Sequence, residues 1–279
     1  MADDFSQYNG EGTNLRKVQL RMLEILGVVD DLCRKNDICY WIEYGTLLGA
    51  VRHGGFIPWD DDLDICVLEK DFSKFTEICK SQLPDDLFLQ NEETDPDSHM
   101  GKGMIKIRDK KSLYIHPFEN FRKNYNKGIF IDVFMAKPYP RMDSNIKHYL
   151  LKRISYAYGF FKYNPELNFK NILCFFIYPL SYIFHKAFLK LLMFGPKTHI
   201  GVNPECYVFG DFSKTEIIFP LREIEFEGRK FMAPNNPDIH LRDHFGDYMK
   251  IPDPQNRKTH VLYSFLNANE GAINNNQNN

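Results

Sequence analysis

The chain has 279 residues, enough for one large domain or two small ones with a real core, and its 43% hydrophobic and 26% charged residues are ordinary for a globular protein. Lys and Arg (35) nearly balance Asp and Glu (37), and the net charge of -2 excludes a global basic field that would draw in nucleic acid. The six cysteines form no CxxC pair and no zinc-finger spacing, so they read as buried free thiols, and the polar, acidic start Met1–Gly10 is no secretory signal; a cytoplasmic location is expected.

Residues 1–12 are expected to be a disordered lead-in. A helix follows from the N-cap Thr13, with Leu15, Val18, Met22, Ile25, Val29 and Leu32 drawing one apolar face. Ile38–Tyr44 reads as a strand, punctuated by Gly45-Thr46, with a short helix over Leu47–Arg52 and a loop at Gly54-Gly55 and Pro58. Leu63–Leu68 reads as a strand and Asp71–Gln82 as an amphipathic helix. Short strands are expected near Met104–Ile107 and Leu113–His116, and a firmer one at Gly128–Phe134. Helical pattern dominates from Ser144 to Phe194. Glu223–Ala233 suggests a hairpin turning at Glu227-Gly228, and Pro237–Phe245 a helix capped by Asn236 and ended by Gly246. The Asn-rich tail, 267–279, reads as disordered. The alternation of strands and helices argues an α/β or α+β fold with a mostly helical insertion at about 144–200.

The chemistry is concentrated in Asp60-Asp61-Asp62-Leu63-Asp64. If Leu63, Ile65 and Val67 share one strand face, Asp62 and Asp64 share the other. Paired carboxylates on a rigid element repel unless a cation lies between them, and hard oxygen ligands suit Mg²⁺ or Mn²⁺. Asp132, between Ile131 and Val133, is costly to bury alone and would gain a metal to share from a neighbouring strand carrying Asp62 and Asp64. A solvated acidic turn is the competing reading. An EF-hand fails, because Ile65 stands where Gly is needed and Asp71 where Glu is needed. Upstream, Gly45-Thr46 between a strand and a helix start offers backbone N–H groups and a hydroxyl to phosphate.

The stretch Tyr40–Asp64, with its Gly45-Thr46-Leu47-Leu48-Gly49, Arg52-His53-Gly54-Gly55-Phe56 and Pro58-Trp59-Asp60-Asp61-Asp62-Leu63-Asp64, closely resembles the LicD family, which includes phosphorylcholine transferases of bacterial surface glycans and is related to the fukutins. The resemblance continues at Lys106-Ile107-Arg108-Asp109 and Gly128–Phe134, and resumes at Phe226-Glu227-Gly228, Ala233-Pro234, Phe245–Met249, Pro252, Arg257 and His260. One departure is Tyr44, where many relatives carry a small residue. The resemblance implies a nucleotidyltransferase-like mixed sheet flanked by helices, a single catalytic domain over 13–266, and transfer of a phospho-alcohol from a CDP-linked donor such as CDP-choline to a sugar hydroxyl of a glycan or lipid-linked glycan. It implies a divalent metal on Asp62, Asp64 and Asp132, phosphate held by Gly45 and Thr46, and charge offset by Arg52, Lys106 and Arg108. Asp60, Asp132 and His53 stand as unranked candidates for the base.

Trp59 fits either a packing role or a stack on a base or choline headgroup. Arg257 and His260 either return to the site or lie on a solvated segment. Ile172–Phe184, about 13 residues, is too short to span a bilayer, which needs roughly 20. It reads as a buried hairpin or as a surface meeting the membrane interface at the inner face, with Lys152, Arg153, Lys162, Lys170, Lys186 and Lys190 interleaved among aromatics.

Overall fold

The computed structural model describes residues 4–98, 100–116, 123–141, 145–162, 169–202, 212–259, 261, 263–265 and 273–274. It is a mixed α/β fold built on a mixed sheet flanked by helices. Five strands, β1 (Tyr40–Ile42), β2 (Asp64–Leu68), β3 (Leu87–Gln90), β4 (Met104–Asp109) and β6 (Phe130–Tyr139), lie in the order β1-β2-β6-β4-β3. The pair β2–β6 is parallel and its neighbours are antiparallel. The far half of β6 pairs instead with β7 (His199–Val202), and β7 with β8 (Phe212–Lys214). Beyond Ala136 the partner β2 has ended, so β6 has one neighbour there and tolerates Pro138 inside it.

Alternation along the central strands sets the two faces. Ile65, Val67, Ile131, Val133, Ile105 and Ile107 point into the main core, under helices α2 (Asn14–Lys35) and α4 (Glu69–Gln82). Helix α2 begins as its sequence directs, with the Thr13 side chain accepting from the Arg16 N–H, and it buries Val18, Met22, Ile25 and Val29. The opposite face carries Trp41, Cys66, Phe134 and Ala136 in a second cluster with Ile200, Val202 and Ile218. The hairpin of β9 (Arg222–Phe226) and β10 (Arg229–Ala233) follows the helical turn α7 (Thr215–Ile218) and turns at Glu227-Gly228, both with positive φ, and helix α8 (Pro237–Phe245) is capped by Asn236 on the Ile239 N–H.

The lead-in departs from expectation. Residues 6–9 form a helical turn, α1 (Ser6–Asn9), and Phe5 and Tyr8 pack edge-on against Trp59, because the aromatic floor of the Asp loop leaves apolar surface for them to cover. In the tail, Ile273–Asn274 (β12) pair with β11 (Tyr263–Phe265), which in turn pairs with β5 (Leu113–Ile115). The insertion is a hairpin of two helices, α5 (Asn145–Lys162) and α6 (Phe169–Leu192), between β6 and β7. Its apolar helix is longer than the 13-residue run suggests. Ile172–Leu192 gives 21 residues long and apolar enough to cross a membrane by length and composition, because Lys186 and Lys190 do not interrupt the helix.

Candidate active site

Helix α3 (Tyr44–His53) starts straight after β1, and Gly45 and Thr46 occupy its first turn, where N–H groups have no partner within the helix. Glu43, the N-cap, sends its side chain elsewhere. Tyr44 sits at φ 46°, a left-handed conformation that a side chain adopts at a cost, and its ring packs edge-on to Phe134. Gly45 is required by close approach. A Cβ there would lie 2.7 Å from Asp60 Oδ2 and 4.0 Å from Asp62 Oδ1. The helix N-terminus and the aspartates therefore face one another.

Within the acidic run the residues alternate. Asp61 is fully buried; its Oδ2 accepts from the Val261 N–H at 2.5 Å, and its carbonyl accepts from the Tyr114 hydroxyl at 2.5 Å. Asp60, Asp62 and Asp64 are only partly buried. Asp64 opens β2, and its Cα pairs directly with Asp132 in the parallel ladder with β6, so both side chains leave the same face about one strand spacing apart. Lys106 of β4 is the next residue in that row and donates to Asp132 Oδ1 at 2.6 Å. Thr46 Oγ1 accepts from the Asp64 N–H at 2.8 Å and so fixes the start of β2 against α3.

The electrostatics match this crowding. Burial first, then the charges of Asp62, Asp132 and Asp60, push the Asp64 carboxyl well above the usual carboxylate range, with Lys106 offsetting part of the rise. Asp60 is raised by burial and then by Asp62 and Asp61, and its carboxyl group is in hydrogen-bond contact with that of Asp62. A row of hard oxygen donors that resists ionising together is a donor set suited to a divalent cation.

Residues 37–156 match the profile of the family described as LicD/FKTN/FKRP, nucleotidyltransferase domain. The lipopolysaccharide cholinephosphotransferase LicD of Haemophilus influenzae is 29% identical over 268 residues, covering 89% of this chain and 96% of that protein. Residues 37–156 thus match a LicD-type domain, and the similarity to LicD itself runs along most of both chains. The ribitol 5-phosphate transferase FKRP of Mus musculus is 39% identical over 72 residues, 25% of this chain and 15% of its own length. An uncharacterized protein of Rickettsia typhi is 50% identical over 62 residues, 22% of this chain and 20% of its own.

The LicD-type row holds Gly45, Thr46, Asp60, Asp62, Asp64, Lys106 and Asp132 together. Arg108 stands apart. It is 2% exposed, its Nε donates to Gln90 Oε1 at 2.6 Å and Nη1 to the Gly128 carbonyl at 2.7 Å, and it lies over Phe130. Two residues along β4 from Lys106, it leaves the same face of the sheet but spends these donors on Gln90 and Gly128. Arg52 donates through Nη1 to the Tyr248 carbonyl at 2.6 Å and through Nε to His53 Nε2 at 2.9 Å, with Asp60 close enough to act on its charge.

His53 is pushed down to about 4 by burial and by Arg52, and its Nε2 lone pair is taken by Arg52. A neutral imidazole so engaged is a weak base, which leaves Asp60 and Asp132 ahead of it. Trp59 is 7% exposed and packs among Phe5, Tyr8 and His53, as a packing residue does. Arg257 returns to this cluster, over the Trp59 ring at 5.1 Å and the Phe5 ring at 5.4 Å; His260 lies outside the described residues.

Sequence reading missed three positioning groups. Gln19, on α2, donates to the Asp60 carbonyl at 2.8 Å, and Glu227, in the hairpin turn, accepts from the Phe56 N–H at 3.0 Å while paired with Nη1 and Nη2 of Arg16. Asp61 is the third. Gln19 inside the apolar stripe of α2 was the one visible signal, a polar residue where burial is expected.

Proposed function

We propose that this chain transfers a phospho-alcohol, phosphocholine or a similar group, from a CDP-linked donor to a sugar hydroxyl of a glycan or lipid-linked glycan such as a lipopolysaccharide precursor. The observation that carries the reading is the register of Asp64 against Asp132, facing a helix N-terminus that Gly45 allows to approach. The named relatives, a cholinephosphotransferase and a ribitol 5-phosphate transferase, support phospho-group transfer as the class.

Asp62, Asp64 and Asp132 would hold Mg²⁺ or Mn²⁺, which when bound supplies charge neutralisation at the donor diphosphate. The chain's own residues have distinct tasks. The first-turn N–H groups of α3 orient the donor phosphates. Lys106 pairs with Asp132 and adds a positive charge beside the row. Thr46 fixes Asp64, and Asp61 fixes the Asp loop to the C-terminal segment. Asp60, with its proton affinity raised by burial and by Asp62 and Asp61, would accept the acceptor hydroxyl proton. The exposed apolar helix α6, with basic residues beside it, would seat the enzyme on the inner face of the membrane that presents a lipid-linked acceptor.

The deciding experiment incubates the protein with CDP-choline, CDP-ribitol or CDP-glycerol, Mg²⁺ and a glycan acceptor. CMP release together with a phospho-alcohol on the acceptor supports the reading. Pyrophosphate release from a nucleoside triphosphate in its place would make the chain a nucleotidyltransferase. Glycan binding with no turnover on any donor would make it a non-catalytic binding protein.

A further inference from the structure

A second cluster of ligating side chains lies on the same face of the sheet, further along from Asp64. Glu43, His240 and His244 each turn one ligand atom toward a common point, and these atoms lie within 4.8 Å of one another. Among the described residues this is the one group of three Asp, Glu, His or Cys side chains gathered so tightly. Glu43 and His240 are 4% and 3% exposed and lie 197 residues apart in the chain. His240 and His244 are four residues apart on α8, so one helix face presents both rings, with centroids 4.3 Å apart.

The surroundings are those of a built site. Glu43 Oε1 meets His240 Nε2 at 2.5 Å, and the other carboxylate oxygen accepts from the Trp41 indole N–H. His240 Nδ1 contacts Ser213 Oγ at 2.7 Å. With Nδ1–H donating to Ser213, Nε2 faces the cluster and becomes the lone-pair nitrogen once the proton it shares with Glu43 is lost, the arrangement that orients a ligating imidazole. A cavity of about 20 Å³ opens beside these groups, bounded also by Tyr44, Cys66 and Ile200, with room for about one water at most.

We propose that Glu43, His240 and His244 form a transition-metal site, suited to Zn²⁺, that ties α8 to the start of α3. Two imidazoles and one carboxylate match Zn²⁺ rather than Mg²⁺, which prefers oxygen ligands. Zn–N and Zn–O bonds of about 2.0–2.2 Å in a tetrahedral site hold ligand atoms about 3.3 Å apart. The Glu43–His240 contact therefore opens modestly as the ion enters, and the proton shared by that pair leaves to solvent. A fourth position is left for water. Glu43 precedes Gly45 by two residues, so an ion here fixes the N-terminus of α3, independently of what that helix binds.

The full chain, with any affinity tag removed and metal stripped by a chelator, is titrated with Zn²⁺ in chelator-buffered solution. Bound metal is counted by elemental analysis, melting temperature is followed, and the Co²⁺-loaded protein is read by visible absorption. The expected result is one Zn²⁺ per chain, a higher melting temperature, and a Co²⁺ spectrum without a thiolate charge-transfer band. His244→Ala, at the less buried ligand, should weaken binding by at least about 100-fold, and Ser213→Ala by about 10-fold. Asp64→Asn should bind Zn²⁺ as wild type does, which separates this site from the aspartate row. Failure of folded wild-type protein to take up Zn²⁺ overturns the proposal. So does unchanged affinity in His244→Ala, or a thiolate band that places the ion on cysteine.

Discussion

Asp64 and Asp132 are direct partners across the parallel strands β2 and β6, and Lys106 extends the row by donating to Asp132 at 2.6 Å. Removing one carboxylate should therefore cost function without costing the fold. Asp64→Asn is expected to lower donor turnover by on the order of 10³-fold or more, the scale of losing a main charge-stabilising group. Its melting temperature without metal should equal or exceed wild type, since a carboxyl that burial and its neighbours hold above the usual range no longer has to ionise. Mg²⁺ should raise the wild-type melting temperature and leave the variant's unchanged. Near-normal turnover in Asp64→Asn removes it from the metal set.

Gly45 tests the closeness of the helix terminus. Gly45→Ala places a methyl 2.7 Å from Asp60 Oδ2, so either the carboxylate or α3 must shift. Overpacking of this kind costs about 1–3 kcal/mol, and a displaced Asp60 should reduce kcat along with donor affinity. Thermal unfolding and steady-state kinetics on the variant check both effects; unchanged kinetics would place the loop outside the site.

Adjacent aspartates should behave oppositely. Asp61→Ala leaves the buried Val261 N–H without its acceptor, at about 1–3 kcal/mol, and loosens the segment that Thr259 ties to the Trp59 carbonyl at 3.0 Å. Asp62→Asn should leave stability intact and abolish turnover. Denaturant melts and CMP assays on both variants decide. Equal stability in the two would show that Asp61 bears no structural role.

Local chemistry explains what the sequence displayed. The caps Thr13 and Asn236, the turn at Glu227-Gly228 and the lone Asp in an apolar strand each announce themselves within a few residues, and each is found where expected. The depth of Arg108 was hidden, because alternation tells which face a side chain leaves and not what is stacked over it. Thr46 was hidden for a related reason: its partner, the Asp64 N–H, lies 18 residues away and is set by how α3 meets β2. The Glu43–His240 contact is more remote still. The order of the lead-in has the same kind of cause, since Phe5 and Tyr8 have a surface to pack on only when Trp59 is placed beside them.

The α5–α6 hairpin is buried on one side only. Leu150, Leu151, Ile154 and Leu189 close its inner side over Tyr139, but the outer side of α6 is bare. Phe176, Leu180 and Phe184 are 69%, 72% and 66% exposed and recur every four residues, so they form one stripe. Both ends of the hairpin return to adjacent strands, β6 and β7, so α6 could cross a bilayer only if α5 crossed too, and α5 carries Lys147, Lys152 and Arg153. Seating in the interface satisfies both helices, with apolar side chains among acyl chains and the basic residues at headgroup level, each contributing roughly 1 kcal/mol on an anionic surface. The protein is therefore expected to float with anionic liposomes and to detach as salt rises. The triple variant Phe176→Ser, Leu180→Ser, Phe184→Ser should lose flotation and keep its melting temperature, because these side chains are exposed. Absence of vesicle binding by the wild type, with a dimer that the same triple variant dissociates, would assign the stripe to a second copy of the chain instead.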